Sequence, residues 1–296
     1  MRKPKIKAAK ASSKKVKMGK KLRPLQAKKA AAKKSSKKAT SKRKTKPQFA
    51  FNWHDLMTPD VEGAKRFYKA LVGWHTEPQG PEYHVLMAGG QGMGGIMAQP
   101  AQMNGTPAFW SGYIMVNNVD KHCAAIKKAG GAVHREPWDI PGTLRMAIVS
   151  EPSGAVFNVY QPLMRGAMKP IKRGTLGTVG WNELITSDVA ASTTFYAKLF
   201  GWDRGGVHDM GPVFGNYQLM KVKSKDHAGM MKRPDFVPRD HWGFYFYVDG
   251  IDKAGARIAL NGGKITNGPH QVPTGSWIIQ GQDPQGAHFS LMSETK

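Results

Sequence analysis

Trp53-His54-Asp55-Leu56-Met57-Thr58-Pro59-Asp60, followed by Phe67-Tyr68-Lys69-Ala70-Leu71-Val72-Gly73-Trp74, is a stretch the chain uses twice. It returns as Trp181-Asn182-Glu183-Leu184-Ile185-Thr186-Ser187-Asp188 and Phe195-Tyr196-Ala197-Lys198-Leu199-Phe200-Gly201-Trp202, at a constant offset of 128 residues. The later part of each copy also matches, at an offset of 132. Trp110 to Asp120 pairs with Trp242 to Asp252, and Glu151-Pro152-Ser153-Gly154 pairs with Asp283-Pro284-Gln285-Gly286. A duplication of this length means two copies of one architecture, so reading one copy reads both.

Each copy predicts an α+β domain. The alternating segment Trp53 to Met57 reads as a strand, and Asp60 or Asp188 is placed to cap the helix after it. Phe67, Tyr68 and Leu71 give that helix an apolar face, and Gly73 and Gly201 suit its end. Strands follow near Tyr83–Met87 and Gly95–Ala98. The second half of the copy repeats the plan: a strand over Trp110–Val116, a helix over Val119–Ala129 stopped at Gly130-Gly131, then strands near 132–135, 144–149 and 155–160. The unit strand–helix–strands is therefore used four times. The domain plan is a tail at 1–48, a first domain at 49–163, a linker at 164–178 and a second domain at 179–294.

Charge is spread unevenly. Residues 1–48 hold 21 of the 45 Lys and Arg and no Asp or Glu, which leaves 24 basic and 20 acidic side chains for the rest. A Lys/Ala/Ser segment with so few large apolar residues cannot bury enough surface to offset its ordering entropy, so the tail is expected to be disordered. Its partner by chemistry is nucleic acid or another polyanion, bound through counterion release without base readout. No aromatic residue precedes Phe49, which argues against base stacking by the tail. The sequence has no apolar run long enough to span a membrane and no secretory h-region. The single cysteine, Cys123, excludes an intrachain disulfide and reads as a buried helix thiol; the expected compartment is the cytoplasm.

The ordered pattern of strand, Asp cap, Phe-Tyr, Gly-Trp and a late Asp/Glu-Pro-x-Gly resembles the vicinal oxygen chelate superfamily, which includes glyoxalase I, bleomycin-resistance proteins and extradiol dioxygenases. The resemblance covers residues 49–294. It implies tandem domains, each of two βαβββ modules forming a U-shaped mixed sheet around a pocket. It also implies a divalent metal held by side chains on the first strand of each module and near the end of the last strands.

At those places this chain has Trp53 and Trp110 in the first domain and Trp181 and Trp242 in the second. Seven residues after the Asp or Glu of the Asp/Glu-Pro-x-Gly turns stand Asn158 and Ser290. Indole nitrogen only donates hydrogen bonds, so Trp cannot coordinate an ion. The expectation is therefore no metal and no other cofactor, with a divalent metal on Asp55 or Glu183 as the disfavoured alternative. Four inward indoles, with Asn158 and Ser290, would line clefts for a small aromatic or amphipathic metabolite or drug. Asp55 and Glu183 lie two residues beyond a Trp, on the same strand face, and are the candidate catalytic or anchoring carboxyls. His54 should point the other way. The alternative reading is a glyoxalase-type lyase or isomerase that uses Asp55 or Glu183. Tyr113 and Tyr217 are possible donors to a ligand, and His84, His241 and His288 form no evident set.

Overall fold

A computed structural model describes residues 47–164 and 171–296. The basic tail through residue 46 and residues 165–170 of the linker lie outside the described residues, and so does the expectation of disorder for the tail.

The first half runs β1 (Phe51–Thr58), α1 (Val61–Val72), β2 (His75–Pro78), β3 (Tyr83–Ala88) and β4 (Gln91–Ala98). It continues with β5 (Phe109–Met115), α2 (Val119–Lys128), β6 (Ala132–Ile140), β7 (Leu144–Ser150) and β8 (Val156–Pro162). The second half runs β9 (Val179–Thr186), α3 (Val189–Phe200), β10 (Asp203–Asp209), a short α4 (Gly211–Phe214), β11 (Asn216–Val222) and β12 (Lys225–Lys232). It ends with β13 (His241–Tyr247), α5 (Ile251–Leu260), β14 (Lys264–Gln271), β15 (Trp277–Gln282) and β16 (His288–Ser293). Each half is one eight-stranded mixed sheet, in the orders β2-β3-β4-β1-β5-β8-β7-β6 and β10-β11-β12-β9-β13-β16-β15-β14. The two modules of a domain join through an antiparallel pair, β1 with β5 and β9 with β13. This is the tandem βαβββ architecture expected from the repeat.

The helix ends follow the local chemistry. Asp60 accepts from the Gly63 amide at 2.8 Å and Asp188 from the Ala191 amide at 2.9 Å, each satisfying a first-turn donor. Gly73 and Gly201 end α1 and α3 in the left-handed region, at φ 80° and 71°, which an L side chain resists.

The main core lies between the two sheets, on the faces that carry the helices. Phe51 and Phe157 of the first domain meet Trp242 and Tyr196 of the second, with ring centroids 4.8 and 5.6 Å apart. The exchange is reciprocal. Tyr68 in α1 donates to Asp283 of the second domain at 3.1 Å, and Ser192 in α3 donates to Glu151 of the first at 2.8 Å. Each carboxyl also accepts amides of its own turn, so the Asp/Glu-Pro-x-Gly motif closes a turn and grips the other domain's helix. The two Gly-Trp indoles act alike: Trp74 donates to the Gly177 carbonyl at 2.8 Å, just before β9, and Trp202 donates to the Phe49 carbonyl, just before β1. Cys123 is buried on α2, and burial pushes its thiol up to about 11, so it stays protonated.

Two histidines, buried His54 and half-buried His227, lie at this interface. His54 faces its repeat equivalent Asn182 at 3.4 Å, and His227 accepts the Phe51 amide at 3.2 Å. Burial depresses them to about 3 and about 4. The unfolded chain takes up these protons near pH 6.5 while the folded chain refuses them, so the histidines reduce stability as pH falls from about 6.5 toward about 4. A His54→Asn, His227→Gln variant is expected to lose that slope, about 1.4 kcal/mol per pH unit for each histidine. Urea denaturation of both proteins across that range measures the difference. The buried carboxyls, which act in the opposite sense, are common to both proteins and cancel. Parallel stability curves would show that these imidazoles titrate normally.

Candidate functional site

The face of each sheet away from the main core carries its own small cluster. In the first domain it holds Tyr113, Met146 and Tyr160, with Trp53, Trp138 and Leu144 packed against them. In the second it holds Tyr245, Tyr247 and Met292, with Trp181 and Ile278. Period two places Asp55 beside Trp53 and Glu183 beside Trp181 on this face. Both carboxyls are buried, and no cation pairs with either among the described residues.

Each carboxyl sits in a cage of aromatic donors. Asp55 accepts from the Trp53 indole at 2.8 Å and from the Tyr83 hydroxyl at 2.8 Å, and Tyr113 and the Gly95 amide beside it also favour its anion. Glu183 accepts from Tyr217 at 2.9 Å and from Tyr245 at 2.8 Å. Trp181 donates to Tyr217 at 2.7 Å, and Gln280 donates to Tyr245 at 2.8 Å. An indole N–H can only donate, so Tyr217 must pass its own proton toward Glu183. Every link thus points at the carboxyl and favours its anion. Desolvation outweighs this and holds both carboxyls above the ordinary carboxylate range.

Glycine makes room for the cage. Gly95 and Gly229 stand beside Asp55 and Glu183 on the neighbouring parallel strands. A Cβ at Gly95 would collide with the Tyr83 ring, and one at Gly229 with the Tyr217 ring.

Trp53, Trp181, Asn158 and Ser290 are on this face with the two carboxyls. Asn158 donates to the Ser111 hydroxyl at 2.6 Å, and Ser290 is the register partner of Tyr245. Trp110 and Trp242 are not there. Trp110 stands opposite Leu56, and Trp242 opposite Leu184, on the packed face. Their indoles donate into the core, to Tyr68 and Tyr196, each at 2.9 Å. The expectation of four inward indoles therefore holds for two and is corrected for two. The inward ring of β5 and β13 is Tyr113 or Tyr245 instead. Tyr83 and Tyr245 were not singled out in the sequence. A signal for both existed: Tyr83 and Tyr217 each precede a glycine by twelve residues, and Tyr113 aligns with Tyr245 in the second matched stretch.

The residues present do not fit a resident divalent metal. Among the described residues no three His, Cys, Asp or Glu gather where they would hold an ion. Around each carboxyl the neighbours are indole, phenol, glycine and, at Asn158 or Ser290, amide or hydroxyl, with the His241 imidazole also near Glu183 but no third ligating group beside them. The donors already aimed at the carboxyl oxygens carry hydrogens, which an incoming cation would have to displace.

A family model described as Glyoxalase/Bleomycin resistance protein/Dioxygenase superfamily matches residues 50–159 and 178–291. The chain is 30% identical over 247 residues to the "Putative glyoxylase CFP32" of Mycobacterium tuberculosis, covering 81% of this chain and 93% of that protein. It is 29% identical over 262 residues to the "Anthracycline biosynthesis protein DnrV" of Streptomyces peucetius, covering 81% and 91%. In structure it resembles the Mn(II)-bound glyoxalase from Novosphingobium aromaticivorans, with a TM-score of 0.61 at 17% identity over 84% of this chain and 83% of that one. The 2,3-dioxygenase LapB from Pseudomonas sp. KL28 gives a TM-score of 0.60 at 13% identity over 84% and 94%. Among the described residues no helix is long and apolar enough to cross a membrane.

Proposed function

The chain belongs to the Glyoxalase/Bleomycin resistance protein/Dioxygenase superfamily, and we propose that within it this protein binds a small planar aromatic or amphipathic metabolite or drug without a metal. The observation that carries the reading is the donor set. Where this fold can place ion-coordinating side chains, each domain offers one buried carboxyl ringed by indole and phenol donors. Such a wall favours flat, apolar ligands with a polar edge. The likeness to a protein named for anthracycline biosynthesis supports a polycyclic aromatic ligand.

Titration with daunorubicin and with simpler fused-ring aromatics, followed by tryptophan fluorescence in the presence of EDTA, tests the reading. Saturable quenching is expected. Stoichiometric Mn, Fe, Ni or Zn in the purified protein, with binding abolished by the chelator, would overturn it.

A second reading, a glyoxalase-type lyase, draws on the raised pKa of Glu183, which suits a general base. It expects turnover of the methylglyoxal–glutathione adduct that falls about 10²–10⁴-fold in Glu183→Gln. Absence of turnover by the wild-type protein, with or without added divalent metal, removes it. For residues 1–48 we propose contact with DNA or another polyanion through charge alone.

A further inference from the structure

Three nitrogen-bearing side chains with no acidic partner meet at one edge of the second-domain cleft. His241 lies on the cleft face of β13, two residues before Gly243, the register partner of Glu183. β16 runs parallel to β13 with Ser290 beside Tyr245, so the same register brings His288 beside Gly243, on the face that Ser290 shares. Arg239 stands in the loop just before β13. Spacing along the chain does not join His241 to His288; the pairing of β13 with β16 does.

The hydrogen bonds these groups already make fix what they still offer. The His241 Nδ1 meets the Arg239 carbonyl at 3.0 Å, and a carbonyl only accepts, so Nδ1 carries the hydrogen and Nε2 is left over. The His288 Nε2 lies 2.9 Å from the Gln282 amide nitrogen, which only donates, so the neutral ring keeps its hydrogen on Nδ1. Among the described residues those two ring nitrogens and the Arg239 guanidinium have no hydrogen-bond or ion-pair partner. The neighbouring acids are committed elsewhere: Asp240 to Arg233 at 2.7 Å, and Glu183 to Tyr217 and Tyr245. Burial first, and then His241 and Arg239, hold the His288 imidazole below its ordinary pKa, the mark of a cationic cluster that lacks a counter-charge.

The fold does not need this set. At the equivalent positions the first domain has Pro107, Phe109 and Val156. Nor is it a metal site: Glu183, His241 and His288 do not gather closely enough to hold an ion, and a guanidinium repels one. Beside it lies room. A Cβ on Gly243 would meet nothing nearer than the Glu183 carbonyl oxygen, at 3.9 Å, and the Trp181 and Tyr245 rings of the cleft cluster lie further along the same face.

We infer that Arg239, His241 and His288 form an anion-binding edge of this cleft, which takes the carboxylate of an aromatic acid whose ring lies over Gly243 toward Trp181 and Tyr245. The inference rests on the binding reading above and deepens it, narrowing the ligand from planar aromatics in general to aromatic acids. It makes the three side chains specificity-determining, through charge-assisted hydrogen bonds that a neutral ligand of the same shape cannot match.

The test is calorimetric titration of the full-length protein with 2-naphthoate and with its neutral isostere, 2-naphthamide. The acid is expected to bind about tenfold more tightly. His241→Phe with His288→Val, the residues the first domain carries there, should bring the two affinities within about threefold of one another, and Arg239→Gln, on an exposed loop, should shrink the preference in the same direction. The basic tail is common to all these proteins, so its attraction for the acid cancels in the comparison. Equal affinity for acid and amide in the wild-type protein, or a preference for the acid that survives both variants, would overturn the inference and leave aromatic binding standing. No heat and no fluorescence response with either probe, or with daunorubicin, would sink the binding reading and this inference with it.

Discussion

Trp242→Ala should destabilise the protein by about 3–5 kcal/mol, the range for emptying a large buried aromatic site. Trp242 is 7% exposed, its ring meets Phe51 at 4.8 Å, and its indole supplies the Tyr196 hydroxyl at 2.9 Å. Removing it opens a cavity between the two sheets and leaves a buried phenol without its donor, and both terms act in the same direction. Trp110→Ala should behave likewise, through Tyr68. Trp181→Ala, on the other sheet face and only partly buried, should cost about 1–2 kcal/mol and instead change aromatic binding. Urea unfolding with unchanged m values gives the comparison. Were Trp242→Ala stable but unable to bind aromatics, its indole would belong in the cleft.

Deleting residues 1–48 should abolish binding to double-stranded DNA measured by fluorescence anisotropy at low salt. In the intact chain the affinity should fall about 10³–10⁵-fold between 50 and 200 mM salt, given about 6–10 phosphate contacts. The reason is the concentration of 21 basic side chains with no acidic ones in that segment, against a nearly balanced remainder. Scrambling the DNA sequence should change little, because phosphate contacts carry no base information. A truncated protein that binds as well as the intact one would place the polyanion surface on the folded domains.

Most of the architecture was legible because local signals and the repeat agreed. Asp60, Asp188, Gly73 and Gly201 sit at the helix ends that their chemistry predicts. Trp53, Asp55, Trp181 and Glu183 share a face because strand alternation is local. The strands that carry Trp110 and Trp242 defeated the same logic. In β5, Trp110 and Ile114 enter the main core while Tyr113 packs in the opposite cluster, so both faces are apolar and alternation does not reveal parity. Only the pairing of Trp110 with Leu56 fixes it. The tyrosine cage was hidden for another reason. Tyr83 meets Asp55 across the sheet, from a strand beyond the intervening helix, and no spacing rule within one element brings them together.

The crossed indole bonds, Trp74 to the segment entering the second sheet and Trp202 to the segment entering the first, have an evolutionary reading. A lone half with this surface would have closed its interior against a second copy of itself. The present chain is such a symmetric pair made covalent. Once fused, the halves were free to diverge, as Asp55 and Glu183 already do at one equivalent position, an inequality that two identical subunits could not encode.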